Sequence, residues 1–374
     1  MAKIAVVIAT TLALTQLTFA HPGAQSGARS DAQLAQHQRF LLDSKRALEG
    51  CASSESGRKL QERAIARRAS KIDQLRAQQR RLDLASALST SHKSNLTDVT
   101  TNTAASELFG DQVKCVLEPE ATQGPYYVSG ELIRSDIRED QDGVDLYTEL
   151  QIIDVNTCTP VENLYLDFWH CNATGVYSGI VASGNGDSTD VSNVNTTFMR
   201  GLSPTDADGL VSFTTTFPGH YTGRATHVHV LGSCNGTVLE NNTYSGGLTS
   251  HVGQIFFDQD LITAVESTGV YATNSQETTL NSVDNILSGE TATGFDPFVE
   301  YAYLGDTVEA GIFAWISIGV DMTLANTISA AGTLTADGGV QSSNGMSGGP
   351  PGSLAGGMPP MEGSFGGTSK CSTA

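Results

Sequence analysis

The chain has 374 residues, of which 16% are charged and 39 are glycine, a turn-rich composition that argues against a helical protein and fits a large β-rich domain with appendages. Its net charge of −19 is segregated: residues 21–93 hold 14 Lys and Arg against 7 Asp and Glu, and residues 94–374 hold 6 against 33. An acidic body of this kind repels phosphate and excludes nucleic acid as its partner.

In chain order, residues 1–20 read as a signal peptide. Lys3 is followed by the mostly apolar run Ile4 to Leu14, and Thr18-Phe19-Ala20 is an acceptable cleavage site. No later stretch reaches the length of a membrane span, so a secreted, extracellular protein with no membrane partner is predicted. Residues 21–93 form a basic arm. Leu34, Leu41 and Leu48 recur every seven residues, as do Ile65 and Ile72, then Leu75 and Leu82, which predicts helix with a narrow apolar stripe. Cys51 to Gly57 interrupts the pattern and predicts a turn. The stripe needs a covering surface, either the chain's own acidic body or a second copy in a homodimer.

Residues 94–110 predict a linker. Residues 111–330 show short apolar or alternating runs between turn signals: Leu146–Val155, Leu164–Trp169, Val211–Thr216, His227–Leu231, Gln254–Phe257 and Ala310–Val320. This spacing predicts a mainly β protein whose central domain is an antiparallel β-sandwich. Residues 331–374, dominated by Gly, Ser, Pro and Met, predict a disordered tail. The six cysteines (Cys51, Cys115, Cys158, Cys171, Cys234, Cys371) fit an oxidising compartment, and no Cys-x-x-Cys spacing points to a metal site. Pairings Cys51 with Cys115 and Cys158 with Cys171 are the expectation. Sequons at Asn95, Asn172, Asn195, Asn235 and Asn241 also fit secretion; Asn172, in an apolar strand context, is expected to be buried and unmodified.

The densest chemical signal is Phe217-Pro-Gly-His-Tyr-Thr-Gly-Arg-Ala-Thr-His-Val-His-Val230. On a strand, His227 and His229 project to one face and can reach one metal ion. Tyr221 precedes them on a Pro-Gly turn. Arg224, one of four arginines after residue 93, is suited to meet an anion or to pair with one of many carboxylates. A second signal is Leu166-Asp-Phe-Trp-His-Cys-Asn-Ala-Thr-Gly-Val-Tyr177, where a strand ends and a Gly turn delivers Tyr177.

Together these segments resemble the intradiol ring-cleavage dioxygenases, and in particular their secreted fungal-type branch. The shared order is an acidic–apolar–Trp strand leading through Asn and Gly to Tyr, then Pro-Gly-x-Tyr, Arg and His-x-His, over roughly Cys115 to Asp321. The resemblance implies Fe(III) held by Tyr177, Tyr221, His227 and His229. It implies a catechol-type substrate, cleaved with O2 between its two hydroxylated carbons to a muconate-type diacid. Tyr221 would be the ligand that leaves and accepts a proton, and Arg224 would stabilise charge building on the ring. Gln254 matches a glutamine lining the oxygen pocket, with an ordinary polar strand residue as the alternative. Gly124-Pro-Tyr-Tyr127 resembles the stretch that covers the substrate mouth, where Tyr126 or Tyr127 would stack on the ring; a plain structural turn is the alternative. His170 and His251 are also candidates for supporting roles, but neither is expected to belong to the site. Tyr221 and His227 are only six residues apart, whereas bacterial members carry a longer loop there, which predicts a more open site.

Three other readings compete. A non-catalytic secreted sandwich binding carbohydrate or cell-wall polymer would not need all four ligands with Arg224 and Gln254. A copper site at His21 would be followed by the wrong structure, since what comes next is helical and basic rather than a stiff sheet. An interaction protein built around the arm is compatible with the enzyme reading.

Overall fold

In the computed structural model of the chain, residues 31–82, 115–116, 125–287, 297–325, 328–342 and 371 are described. The expected signal peptide and linker, the Asn95 sequon and the side chain of Cys115 lie outside them. None of the described helices is long and apolar enough to cross a membrane.

The arm is two helices, α1 (Asp31–Ser53) and α2 (Glu55–Leu82). The expected seven-residue interruption narrows to Ser54. Its Oγ accepts from Gly57 N–H at 2.9 Å and so starts α2, while a Cβ on Gly57 would lie 2.1 Å from the Cys51 carbonyl oxygen.

The body opens with β1 (Cys115–Val116) and β2 (Val128–Ser129). Next come β3 (Asp145–Asp154), β4 (Thr159–Pro160), β5 (Tyr165–Trp169), β6 (Arg200–Pro204), β7 (Leu210–Thr216) and β8 (His227–Cys234). The small hairpin β9 (Thr237–Val238) and β10 (Tyr244–Ser245) precedes β11 (Leu248–Phe256), helix α3 (Gln259–Glu266), β12 (Glu300–Tyr303) and β13 (Ile312–Val320). Two sheets face each other. One has the order β1-β13-β3-β4, with β7 also on β3 and β12 on β13; the other has the order β11-β8-β5-β6. The second is antiparallel throughout. The first is mixed, because β3 and β13 run parallel over nine paired positions. The expectation of a purely antiparallel sandwich is corrected there. A parallel pair needs a long crossover, and the whole second sheet lies in sequence between these two strands.

Alternation along the strands sorts side chains between the sandwich interior and the outer face of the second sheet. Leu166, Phe168, Val228, Val230 and Ile255 join the main core, where Phe168 stacks on Phe213 with ring centroids 4.6 Å apart. Trp169, Leu231 and Val252 face the other way, into a second cluster with Tyr126, Tyr177 and Tyr221. The candidate site is built on that outer face.

The arm lies on its own body. Leu41 and Leu48 pack on Val155, and Leu75 packs with Leu304 and Phe313. Charge complementarity reinforces this: Arg67 pairs with Asp206 and Asp208, and Arg68 pairs with Glu149 in a buried bridge at 3.3 Å. Cys51 is bonded to Cys158 rather than to Cys115, and Cys234 to Cys371; Cys171 is a free, buried thiol. The Cys158–Cys171 pairing fails because Cys158 sits in the turn after β3, facing the arm. Cys171 instead points at the Gly219 carbonyl, 3.3 Å away. The described start of the tail also departs from expectation, the rest of it lying outside the described residues apart from Cys371. Gly332–Thr335 and Gly338–Gln341 form a hairpin, β14 and β15, whose first strand pairs with β2. Short β-capable runs flanked by glycine suffice when they can close a hairpin and pair with the two-residue strand β2.

Burial raises the Glu149 pKa and lowers that of Arg68, so removing one partner strands the other charge. Arg68→Ala is expected to cost about 3 kcal/mol in chemical denaturation, and the Arg68→Met/Glu149→Leu pair much less.

Candidate metal centre

The four expected ligands converge. Tyr177 Oη lies 3.4 Å from His227 Nε2 and 3.2 Å from His229 Nε2. Tyr221 Oη lies 3.2 Å from His227 Nε2, and the two Nε2 atoms are 3.1 Å apart. All four side chains are 0–3% exposed. His227 Nδ1 donates to the Ala225 carbonyl at 2.6 Å, which leaves its Nε2 bare and aimed at the other three donor atoms.

Local sequence explains the convergence. His227 and His229 are two apart on β8. His229 is paired across the sheet with Trp169 on one side and Gln254 on the other. The Trp169 ring stacks on His229 at 4.8 Å with planes 5° apart, fixing the imidazole. Tyr177 and Tyr221 come from two turns that meet back to back. Gly175, at φ +80°, carries its turn so close that a Cβ would lie 2.2 Å from the His220 carbonyl oxygen. A Cβ on Gly219 would lie 2.2 Å from the Ala173 carbonyl oxygen, so neither position accepts a side chain. The short spacing to His227 is spanned by a tight turn in which Tyr221 bridges to Arg224, with Gly223 at φ +90°. The predicted opening does not reach the ligands, which are buried despite exposed Thr222 and Gly223.

Arg224 is buried. Its Nε donates to Asp284 Oδ2 at 2.8 Å and its Nη2 to Gln254 Oε1 at 2.6 Å. The carboxylate partner allowed by the sequence is Asp284; burial raises the pKa values of Tyr177 and Tyr221, and the nearby Arg224 charge offsets only part of that rise. Gln254 is fully buried beside His229, and its Nε2 has no partner among the described residues, a donor available to a bound molecule. Tyr126 packs on Tyr177 with centroids 4.9 Å apart; its Oη also has no partner there, and burial pushes its pKa up to about 12. Tyr127 lies one layer back, on Trp169. Gly124 is outside the described residues.

His170 and His251 are not brought to the site. His170 is satisfied by the Cys171 carbonyl and Thr215, and burial lowers its pKa to about 4; His251 bonds the Asp321 carbonyl. The half-buried Asn172 amide is bound to Gln141, and its oxygen accepts from Thr174 and Val176.

Three supports escaped the sequence reading. Asn185 accepts from Tyr177 N–H at 2.7 Å and returns a bond to its carbonyl, joined by Asn193. The Arg200 guanidinium lies 5.9 Å from the Tyr177 ring centroid. Asp284 holds Arg224. The asparagines sit in a Gly/Ser/Asn-rich loop that reads as plain turn, and Asp284 is one carboxylate among 40.

These residues fit a metal ion. Donor separations of 3.1–3.4 Å correspond to a centre about 2 Å from each donor, the bond length of N and O ligands to a small transition metal. No group of three His, Cys, Asp or Glu able to hold a metal occurs among the described residues, so a centre here must draw on the phenols. Phenolate oxygens are hard anionic donors, which favour a ferric ion over zinc. Burial pushes the pKa of Tyr177 and of Tyr221 well above the ordinary phenol range, so an added cation has to displace both protons.

No family model and no curated protein matches the chain. Among solved structures it is similar to an intradiol ring-cleavage dioxygenase from Tetranychus urticae, at 27% identity over 57% of this chain and 98% of that one, with a TM-score of 0.47. It is also similar to the dioxygenase domain of a dioxygenase–carbohydrate-binding fusion from Streptomyces sp. SirexAA-E (20% identity, 53% and 94% covered, TM-score 0.31). Catechol 1,2-dioxygenase from Pseudomonas arvilla C-1 matches at 17% identity, with 56% and 64% covered and a TM-score of 0.36. With TM-scores below 0.5, any functional reading rests on the side chains.

Loading Fe(III) near neutral pH is expected to release one proton from each ligand phenol, measured by titration in weak buffer. Affinity should therefore rise with pH, since protons compete with the metal for the same oxygens.

Proposed function

We propose that the chain is a secreted Fe(III)-dependent intradiol dioxygenase, opening catechol-type rings with O2 between the two hydroxylated carbons to muconate-type diacids. The observation that carries this reading is the convergence of two buried phenols and two buried imidazoles, donor atoms facing inward, beside a buried arginine. Secretion is supported by the leader-like N-terminus and the two disulfides.

Tyr177, Tyr221, His227 and His229 would hold the ion. When bound, Fe(III) supplies a Lewis-acidic, electron-withdrawing centre that renders a chelated catecholate open to O2. Tyr221 Oη is the ligand proposed to accept a catechol proton; it comes from a turn whose tip is exposed, whereas Tyr177 is clamped by Asn185 and Asn193. Arg224, fixed by Asp284 and Gln254, presents a preorganised cation to negative charge developing on the ring. Gln254 Nε2 offers a hydrogen bond on the side of His229, and the Tyr126 ring offers an aromatic wall for the substrate. Burial of these side chains excludes water and strengthens each interaction.

A carbohydrate-binding sandwich has no use for four inward-facing donors and a buried Arg224, which counts against that alternative. Leu41, Leu48 and Leu75 of the arm's stripe are covered by its own body, whereas Leu34 is 43% exposed.

The test is O2 uptake by the Fe(III)-loaded protein given catechol, with the product identified as the muconate-type diacid. Arg224→Ala is expected to retain iron and to lose about 10²- to 10³-fold in kcat, the scale for removing a preorganised charge-stabilising donor. No O2 uptake by the loaded wild type would refute the activity.

A further inference from the structure

Asp284 lies outside every motif that pointed to the site, yet both of its carboxylate oxygens are committed. Oδ1 accepts from Ile286 N and Leu287 N, each at 2.9 Å, and closes a short turn. Oδ2 accepts from Arg224 Nε and from Ala225 N, each at 2.8 Å. The residue is 1% exposed. A carboxylate this buried is costly unless paired, and here three backbone N–H donors and the Arg224 guanidinium answer it; burial alone would push its pKa up, but Arg224 and the N–H donors leave it below the usual carboxylate value.

The Oδ2 contacts reach two parts of the centre. One runs to Arg224 and through Nη2 to Gln254, 2.6 Å away. The other fixes Ala225, whose carbonyl accepts the His227 Nδ1 proton at 2.6 Å. The position of that carbonyl decides which imidazole nitrogen is bare. A residue that only capped the 284–287 turn would use Oδ1 and leave Oδ2 to solvent.

We propose that Asp284 is a positioning residue of the centre, holding Arg224 in line with the ring site and, through Ala225, holding His227 as the tautomer whose Nε2 carries the lone pair that can ligate. This rests on the functional reading above for its chemical purpose, but its geometry belongs to the metal-free protein. The role is separate from the four ligands and from Arg224 itself, because Asp284 acts through them.

The test compares wild type with Asp284→Asn and Asp284→Glu in the full chain. Nuclear magnetic resonance of the metal-free protein reads the Arg224 Nε–H and His227 Nδ1–H protons, both expected as slowly exchanging signals in the wild type. In Asp284→Asn both should broaden or shift. Fe(III) retention against a competing chelator should fall by about 10- to 100-fold, the usual cost of losing a group that orients a metal ligand. Its kcat should fall more than its KM rises. Should the Asn variant not fold, Asp284→Glu carries the test: it keeps the charge, so the Arg224 signal should persist while the His227 signal shifts and retention weakens. A variant that folds with lower Tm but with both signals and iron retention unchanged would reduce Asp284 to a turn cap and overturn the proposal. Failure of the wild type to take up Fe(III) would sink the metal reading separately, leaving the two proton signals to decide whether Asp284 positions Arg224 and His227.

Discussion

Everything in this fold that bears on function answers one electrostatic constraint: two phenols and two imidazoles, all buried, aim their donor atoms at one point with separations of 3.1–3.4 Å. Lone pairs that close repel unless protons or a cation lie between them. Burial makes the phenolate state unfavourable on its own, and a cation reverses that preference. The surroundings serve to hold this arrangement. Trp169 stacks on His229, Asn185 and Asn193 clamp Tyr177, and Gly175 and Gly219 let the two tyrosine-bearing turns close on each other.

The sandwich contributes a rigid face. Alternation along β5 and β8 sends Phe168, Val228 and Val230 into the core and Trp169, His227 and His229 outward. The ligands are thereby mounted on strands whose other faces are locked by packing, and the two turns bring the remaining ligands to them. The arm and the tail act at a distance. The arm covers the outside of the mixed sheet, pinned by Cys51–Cys158 and the Arg68–Glu149 bridge. The hairpin β14–β15 extends β2, the strand that follows Tyr126 and Tyr127.

The site was more legible in sequence than the fold around it. Spacing places His227 and His229 on one strand face and Tyr177 and Tyr221 on turns, but each motif alone is unspecific, and the set reads together only through the order in which the motifs resemble a known family. Strand positions were legible from local pattern: alternation located β3, β5, β7, β8 and β13 within a few residues. What escaped were non-local choices. The partner of Cys51 depends on where the arm docks. The parallel pairing of β3 with β13 depends on crossover topology, and the tail hairpin on pairing with β2, far earlier in the chain. Asp284 and Asn185 were invisible because a carboxylate or an amide in a loop carries no signal until the chain folds it against its partner.

The central claim is that this donor set binds a ferric ion that catechol can reach. It is tested most directly by the visible absorption spectrum of Fe(III)-loaded protein, recorded before and after anaerobic addition of catechol. The account predicts a broad tyrosinate-to-iron charge-transfer band that shifts on adding catechol and weakens in Tyr177→Phe. A protein that stays colourless after loading, or a band indifferent to catechol, would contradict it.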